Sequence, residues 1–349
     1  MEAQAGLTTI QRIMTLAQTK TAADIHIVAG APVMLRIGDD LIAVSKEVLS
    51  KSQAKELAYA ILTESQIVEF EDRLDLDFMY ADESRCRYRV NVSCNDGAVG
   101  AVIRLLAAEP RPLDALGLPP VVSRLGFADK GLLLITGSTS QGKTTTMSGI
   151  IDEVNTHHRR HIVTIEDPIE YVHPNKQSIV RQREVGKDTR TFSAGLRAAL
   201  RQDPDVIAIG EMRDYETIKI ALTAAETGVL VLSTLHIISI DKIIERLLSY
   251  APEGGDGHIR ELLANSLIGV VHQELLPTVD GGKRVACEVL VVTDAVRNVL
   301  RSRGMFHLRN LITTGGRFGM QSMKQSVDAM LDEGVITEEM HESVMKNYR

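Results

Sequence analysis

The chain has no apolar stretch near the about 18 residues that a membrane-crossing helix needs, so no transmembrane segment is expected. Met1-Glu2-Ala3-Gln4 carries no basic patch followed by an apolar core, and a secretory leader is not expected either. Cysteine is scarce. Cys86, Cys94 and Cys287 form no Cys-x2-Cys pair, which removes the sequence basis for a zinc site and suits a reduced, cytoplasmic setting. A surplus of basic charge is also missing. The formal net charge is −7, which weighs against a nucleic-acid motor, and no nucleic-acid partner is expected. Internal repeats and low-complexity tracts are absent. What is present is ordinary for a globular protein, 44% hydrophobic and 24% charged, over 349 residues, enough for two domains with separate cores.

Residues 1–106 read as mixed α and β. Leu7 to Ala17 is an amphipathic helix candidate, and Asp24-Ile25-His26-Ile27-Val28 alternates as a half-buried strand does. Val33 to Ile37 and Leu41 to Val44 read as a hairpin across Gly38-Asp39-Asp40. One helix is expected over 50–70, then strands at 87–92 and 99–105. Residues 107–120, with Pro110, Pro112, Pro119 and Pro120, read as a linker. Beyond it, apolar runs at 131–135, 162–165, 206–209 and 229–232 alternate with helical stretches, as in a parallel sheet wrapped by helices. The tail from Asp294 onward reads as mostly helical.

Gly137-Ser138-Thr139-Ser140-Gln141-Gly142-Lys143-Thr144 fits the phosphate-loop pattern Gly-x4-Gly-Lys-Ser/Thr. It follows an apolar strand and precedes a helix that puts Met147, Ile151 and Val154 on one face. Loop N–H groups and a helix N-terminus can hold polyphosphate oxygens, which marks residues 137–145, Thr145 included, as the ATP-binding segment. Lys143 is placed to reach the β- and γ-phosphates and the Thr144 hydroxyl to bind Mg²⁺. Two further strands end in acids. Asp205-Val206-Ile207-Ala208-Ile209-Gly210-Glu211 offers Glu211 to a metal or its water. Ile162 to Ile165 leads into Glu166-Asp167-Pro168-Ile169-Glu170, three carboxylates where open α/β sheets place their ligands. Thr234 and His236, at the tip of Val229 to Leu235, are candidates to sense the γ-phosphate. Arg87, Arg89 and Arg104, in the first domain, are candidate arginine fingers toward a neighbouring subunit.

Taken together these motifs resemble the type IV pilus retraction ATPases, the PilT/PilU group of the secretion-ATPase superfamily. Thr164 to Glu170 looks like the acidic Asp box, Asp203 to Asp214 like the second nucleotide motif, Ala221 to Gly228 with Thr234-Leu235-His236 like the His box, and Ala295 to Arg301 like a C-terminal helix motif of the group. The resemblance implies an α/β chain: a RecA-like phosphate-loop ATPase domain at 121–349 behind a smaller PAS-like α+β domain at 1–106. It further implies ATP bound between the domains and a homo-hexameric ring, mixed with a paralogue in one alternative, acting on an inner-membrane pilus platform protein. Glu211 takes the Mg²⁺-site role with Thr144 and Asp167, and Glu170, then Glu166, the water-orienting role. The long N-terminal extension and cysteine quartet of extension ATPases are not seen, which favours retraction by resemblance. The chain departs from the group at Ser140 and Val229, where Gly and His are usual, at Gln141, where Ser is usual, and at Ile237, where Thr is usual. These departures bear on catalytic rate more than on fold. They keep a weakly hydrolysing accessory or scaffolding paralogue open as the alternative, beside a secretion or assembly ATPase.

Overall fold

The computed structural model describes residues 2–38, 40–82, 86–106, 109–252, 255–302 and 307–348. The chain divides into two compact units, Met1–Glu109 and Pro110–Arg349. Residues 107 and 108 of the expected linker lie outside the described residues. Leu113–Leu116 forms a 3-10 turn whose Leu113 is buried in the second unit's core.

The first unit runs α1 (Glu2–Thr19), β1 (Asp24–Ile27), β2 (Met34–Ile37), β3 (Asp40–Ala43), α2 (Lys51–Tyr59), α3 (Glu64–Arg73), β4 (Asp75–Ala81), β5 (Arg87–Asn95) and β6 (Ala98–Leu105). Its strands pair antiparallel in the order β3-β2-β1-β6-β5-β4. Strand β5 buries Tyr88, Val90 and Val92 at alternate positions, and these pack with Ile10 and Met14 of α1, Leu57 of α2 and Phe70 of α3. The single helix expected over 50–70 is two. Thr63 accepts the Gln66 N–H and the Gln66 side chain accepts the Thr63 N–H, a capping box that starts α3 afresh; Ser50 and Gln53 start α2 in the same way.

The second unit continues with α4 (Pro120–Gly126), β7 (Gly131–Thr136), α5 (Lys143–His157), β8 (His161–Glu166), β9 (Ile179–Glu184), α6 (Phe192–Ala199), β10 (Val206–Ile209), α7 (Tyr215–Thr227) and β11 (Leu230–Leu235). Then come α8 (Ile240–Ser249), α9 (Asp256–Ser266), β12 (Leu267–Pro277), β13 (Lys283–Val291), α10 (Asp294–Ser302), α11 (Leu308–Thr314), α12 (Met323–Asp332) and α13 (Glu338–Met345). The seven-stranded sheet has the order β13-β12-β7-β11-β10-β8-β9, parallel except for β13. Leu132 and Leu134 of β7 face one core while Leu133 and Ile135 face the other. Both faces are therefore covered, which is why β7, β8, β10 and β11 read as unbroken apolar runs. Each such buried aliphatic side chain contributes about 1.5–3 kcal/mol relative to exposure.

The topology creates the crevice. From β7 the chain crosses by α5 to β8, three places away, and returns through β10 and β11 to β7's side. The register sets Leu235 beside Thr136 and Ile209 beside both Ile165 and Ser233, so the carboxyl ends of β7, β11, β10 and β8 finish together. Among the described residues no helix is long and apolar enough to cross a membrane.

Candidate functional site

The loop after β7 has a fixed shape. Gly137 has φ +148, and a Cβ there would lie 2.5 Å from the Gln273 carbonyl oxygen of β12, so only glycine fits. Gly142, at φ +77, caps α5. Ser140, where a resemblance-based reading expects glycine, sits at φ +62, in the left-handed region that a side chain disfavours. Gln141 turns its side chain away from the loop's mouth. Its Oε1 accepts the Leu275 N–H, and its carbonyl accepts the Gln273 side-chain amide at 2.6 Å.

Lys143 is 6% exposed. Its ammonium donates to the carbonyls of Gly137 at 3.0 Å and Ser138 at 2.6 Å, and to His236 Nδ1 at 3.3 Å. Burial pulls its pKa below the ordinary value, opposed by the charges of Glu211 and then Glu170. An ammonium donates only, so His236 Nδ1 accepts and its proton rests on Nε2, 3.6 Å from Glu211 Oε2. Burial, then the Lys143 charge, lowers the His236 pKa and keeps the ring neutral. Thr139 Oγ1 reaches the same Nδ1 at 3.4 Å. Glu211 is further held by Arg213 Nε at 2.8 Å.

The two candidate water-orienting acids are not equivalent. Glu166 is buried, its Oε1 accepting from Thr164 Oγ1 at 2.5 Å and Gln182 Nε2 at 3.1 Å. Glu170 is half-buried and within electrostatic reach of Lys143. Asp167 is exposed and feels the charge of Arg213. Thr145 Oγ1 meets the Tyr171 hydroxyl at 2.9 Å, which ties the acidic loop to the first turn of α5. Thr234 Oγ1 donates to the Gly210 carbonyl and so braces β11 against the end of β10 rather than standing ready for a phosphate.

Two of the three first-unit arginines have acidic partners within their own unit. Arg89 and Arg104 stand opposite each other on β5 and β6, like charges in direct cross-strand register. Asp24 of β1 accepts from Arg104 Nε at 2.8 Å, and Asp77 of β4 lies 4.0 Å from Arg89, so an acid flanks the pair on each side. Arg87 is half-buried at the start of β5. In α10, Arg301 bonds Asn265 at 2.7 Å and Glu261 at 3.2 Å, both on α9, and Arg297 reaches the Ala264 carbonyl at 3.5 Å. This basic helix face is held by its own core.

Sequence reading missed the support behind the loop. Buried His272 of β12 holds Thr136 Oγ1 at 3.1 Å on Nδ1 and the Tyr348 hydroxyl at 3.0 Å on Nε2, and that hydroxyl donates to Glu274 at 2.6 Å. These partners lie far apart in the chain and match no motif.

The donor set fits a polyphosphate. A buried cation bonded to carbonyls and an imidazole, at the N-terminus of a fifteen-residue helix beneath a loop that excludes a Cβ, can be compensated by an anion. Among the described residues no three His, Cys, Asp or Glu side chains gather for a metal. A Mg²⁺ held mainly by phosphates and water needs only one or two protein oxygens, which Thr144 and Glu211 can supply.

Comparison with known proteins shows what the whole chain is similar to. The chain is 38% identical over 330 residues to the type IV pilus retraction ATPase PilT of Pseudomonas aeruginosa, covering 95% of this chain and 96% of that protein. It is 34% identical over 330 residues to the type IV pilus ATPase PilU of the same organism, covering 94% and 86% respectively. The crystal structure of the pilus retraction motor PilT with bound ADP superposes with a TM-score of 0.87 at 39% identity, covering 94% of each chain. The ATPase DotB of Legionella pneumophila superposes with a TM-score of 0.86 at 27% identity, covering 97% of this chain and 96% of that one. The Type II/IV secretion system protein family model matches residues 3–349, and the chain belongs to that family.

Proposed function

We propose that this protein is an ATP-hydrolysing motor that drives type IV pilus retraction. One observation carries the reading: the buried Lys143 ammonium, bonded to carbonyls beneath a phosphate loop, with Glu170 and Glu211 as the acids that bear on it. The 38% identity to a retraction ATPase over 95% of the chain supports the direction of work.

In this reading the loop N–H groups and the first turn of α5 hold the β- and γ-phosphates, and Lys143 turns from the loop carbonyls onto them. Thr144 and Glu211, with Asp167, would hold Mg²⁺, which when bound would supply positive charge to offset that of the phosphate oxygens. Glu170 orients a water and takes its proton as the oxygen bonds to the γ-phosphorus and the bond to ADP breaks. Glu166, already engaged by Thr164 and Gln182, holds the loop that carries Glu170. Neutral His236 links Lys143 to Glu211 and registers the loss of phosphate charge.

Six copies form the working ring, at the cytoplasmic side of the inner membrane on the pilus platform protein. Arg87, Arg89 and Arg104 are the charges offered to a neighbouring subunit's phosphates, and Arg104 has to leave Asp24 to serve. Steady-state phosphate release by purified protein tests the chemistry, and complementation of a retraction-deficient strain, scored by twitching and phage sensitivity, tests the work. ATP turnover without restored twitching would reject the motor and keep the enzyme.

Two departures favour a second reading. Ser140 occupies a left-handed conformation at a site where the group usually has glycine, and Val229 stands where it usually has His. A slow, accessory paralogue that binds nucleotide and acts through contacts fits these departures. Turnover no faster than that of Lys143→Ala selects it.

A further inference from the structure

Strand β9 is one edge of the sheet and has no place among the nucleotide motifs, yet two of its side chains, Gln182 and Glu184, reach the acidic loop. Gln182 stands in register with Thr164 of β8, and both donate to the same oxygen of Glu166. The Gln182 amide also donates to the Tyr171 carbonyl at 2.8 Å and accepts the His173 N–H at 2.9 Å. Reversing the amide would set its NH₂ against the His173 N–H, so the bonding pattern fixes its orientation. Two residues further along β9, Glu184 Oε2 accepts the Ile169 N–H at 3.2 Å. The backbone at 169, 171 and 173 is thus held by two side chains of one strand. On the other side the Tyr171 hydroxyl meets Thr145 on α5. Glu170 lies between the held positions.

We infer that Gln182 and Glu184 are positioning residues for ATP hydrolysis: from β9 they clamp the backbone of the acidic loop at Ile169, Tyr171 and His173 and so set Glu170 toward the phosphate loop. The inference rests on the proposed ATPase reading only for its catalytic consequence; the clamp itself is a property of the nucleotide-free protein. A carboxylate that orients a water has to be placed to within a fraction of an ångström. The loop has no regular secondary structure of its own between β8 and β9, so its placement comes from side chains. Both are borne on a strand paired to β8 over six consecutive residues, which gives them a rigid base.

The experiment compares wild type with Gln182→Leu and Glu184→Ala. In nucleotide-free protein, amide hydrogen exchange is expected to rise about tenfold at His173 in Gln182→Leu and at Ile169 in Glu184→Ala, the amide whose acceptor each change removes. For ATP, kcat is expected to fall about 100-fold in Gln182→Leu while KM stays within about threefold. Unchanged exchange at His173 overturns the clamp. Faster exchange with wild-type kcat overturns the positioning role, as does a kcat loss accompanied by an equal loss of nucleotide affinity and a lowered melting midpoint. Should Gln182→Leu fail to fold, Gln182→Glu decides: it keeps the acceptor for His173 and loses the amide donors, so protected exchange with lowered kcat supports the inference and wild-type kcat overturns it. A wild type with this exchange pattern and no ATP turnover refutes the ATPase reading and leaves the clamp intact.

Discussion

Replacing Lys143 with Met keeps most of the side chain's volume and deletes its charge, and the structure predicts opposite effects on turnover and on stability. The ammonium is 6% exposed, so its attraction for a phosphate is not quenched by bulk water. At about 4 Å and an effective dielectric near 20, two unit charges attract by about 4 kcal/mol. At about 1.4 kcal/mol per decade this corresponds to a loss of about a thousandfold in kcat/KM. Without nucleotide the same charge is a liability, because its contacts are carbonyls and a neutral imidazole and burial lowers its pKa from 10.5. Between the lowered folded value and 10.5 the unfolded chain binds the proton more readily, so the folded state gains stability as pH rises through that window and is penalised at neutral pH. Lys143→Met removes the penalty. The nucleotide-free melting midpoint is expected to stay level or rise. A nonhydrolysable ATP analogue at a hundredfold excess over the wild-type Kd adds about 2.7 kcal/mol to wild type and far less to the variant. Phosphate release and thermal melts with and without analogue check both halves. Turnover within tenfold of wild type, or a nucleotide-free midpoint that drops as after a core deletion, refutes the reasoning.

Glu170→Gln is expected to keep nucleotide binding and lose about 10²- to 10⁴-fold in kcat, measured by single-turnover hydrolysis beside analogue binding. Glu166→Leu leaves the donors of Thr164 and Gln182 without their acceptor, and is expected to cost about 1–3 kcal/mol of stability in a denaturant titration. His173 and His272 each have a pKa pulled down to about 4, chiefly by burial, from 6.5. A depressed histidine contributes stability that is present above 6.5 and lost as pH falls toward 4, so the melting midpoint is expected to fall across that window, less steeply in His272→Gln. Gly137→Ala drives a Cβ to 2.5 Å from the Gln273 carbonyl and is expected to abolish analogue binding in calorimetry.

Much of the second unit is legible because its central strands are buried on both faces. Residues 131–135, 162–165, 206–209 and 229–232 read as strands since every side chain has to be apolar, whichever way it points. Strand β9, Ile179–Glu184, escapes because it is an edge strand with none of its side chains fully buried, and Arg181, Gln182, Arg183 and Glu184 interrupt any apolar run. The break between α2 and α3 was in plain view, since Thr63-Glu64-Ser65-Gln66 is a capping-box pattern; the apolar periodicity across 50–70 hides it. The phosphate loop is legible because its chemistry is contiguous. The choice between Glu166 and Glu170 is not, because spacing says nothing of which carboxylate is already engaged. Gln273, meeting Gln141 from 132 positions away, leaves no trace in either segment.

The seating of α10 on α9 bears on how genetic data from this motor should be interpreted. Arg301 spends its guanidinium on Glu261 and Asn265, and Val296 and Leu300 are buried beneath it. A strain that stops twitching after Arg301 is replaced therefore reports first on the integrity of a scaffold, and only a variant with native melting behaviour can be read as a lost handshake with another component.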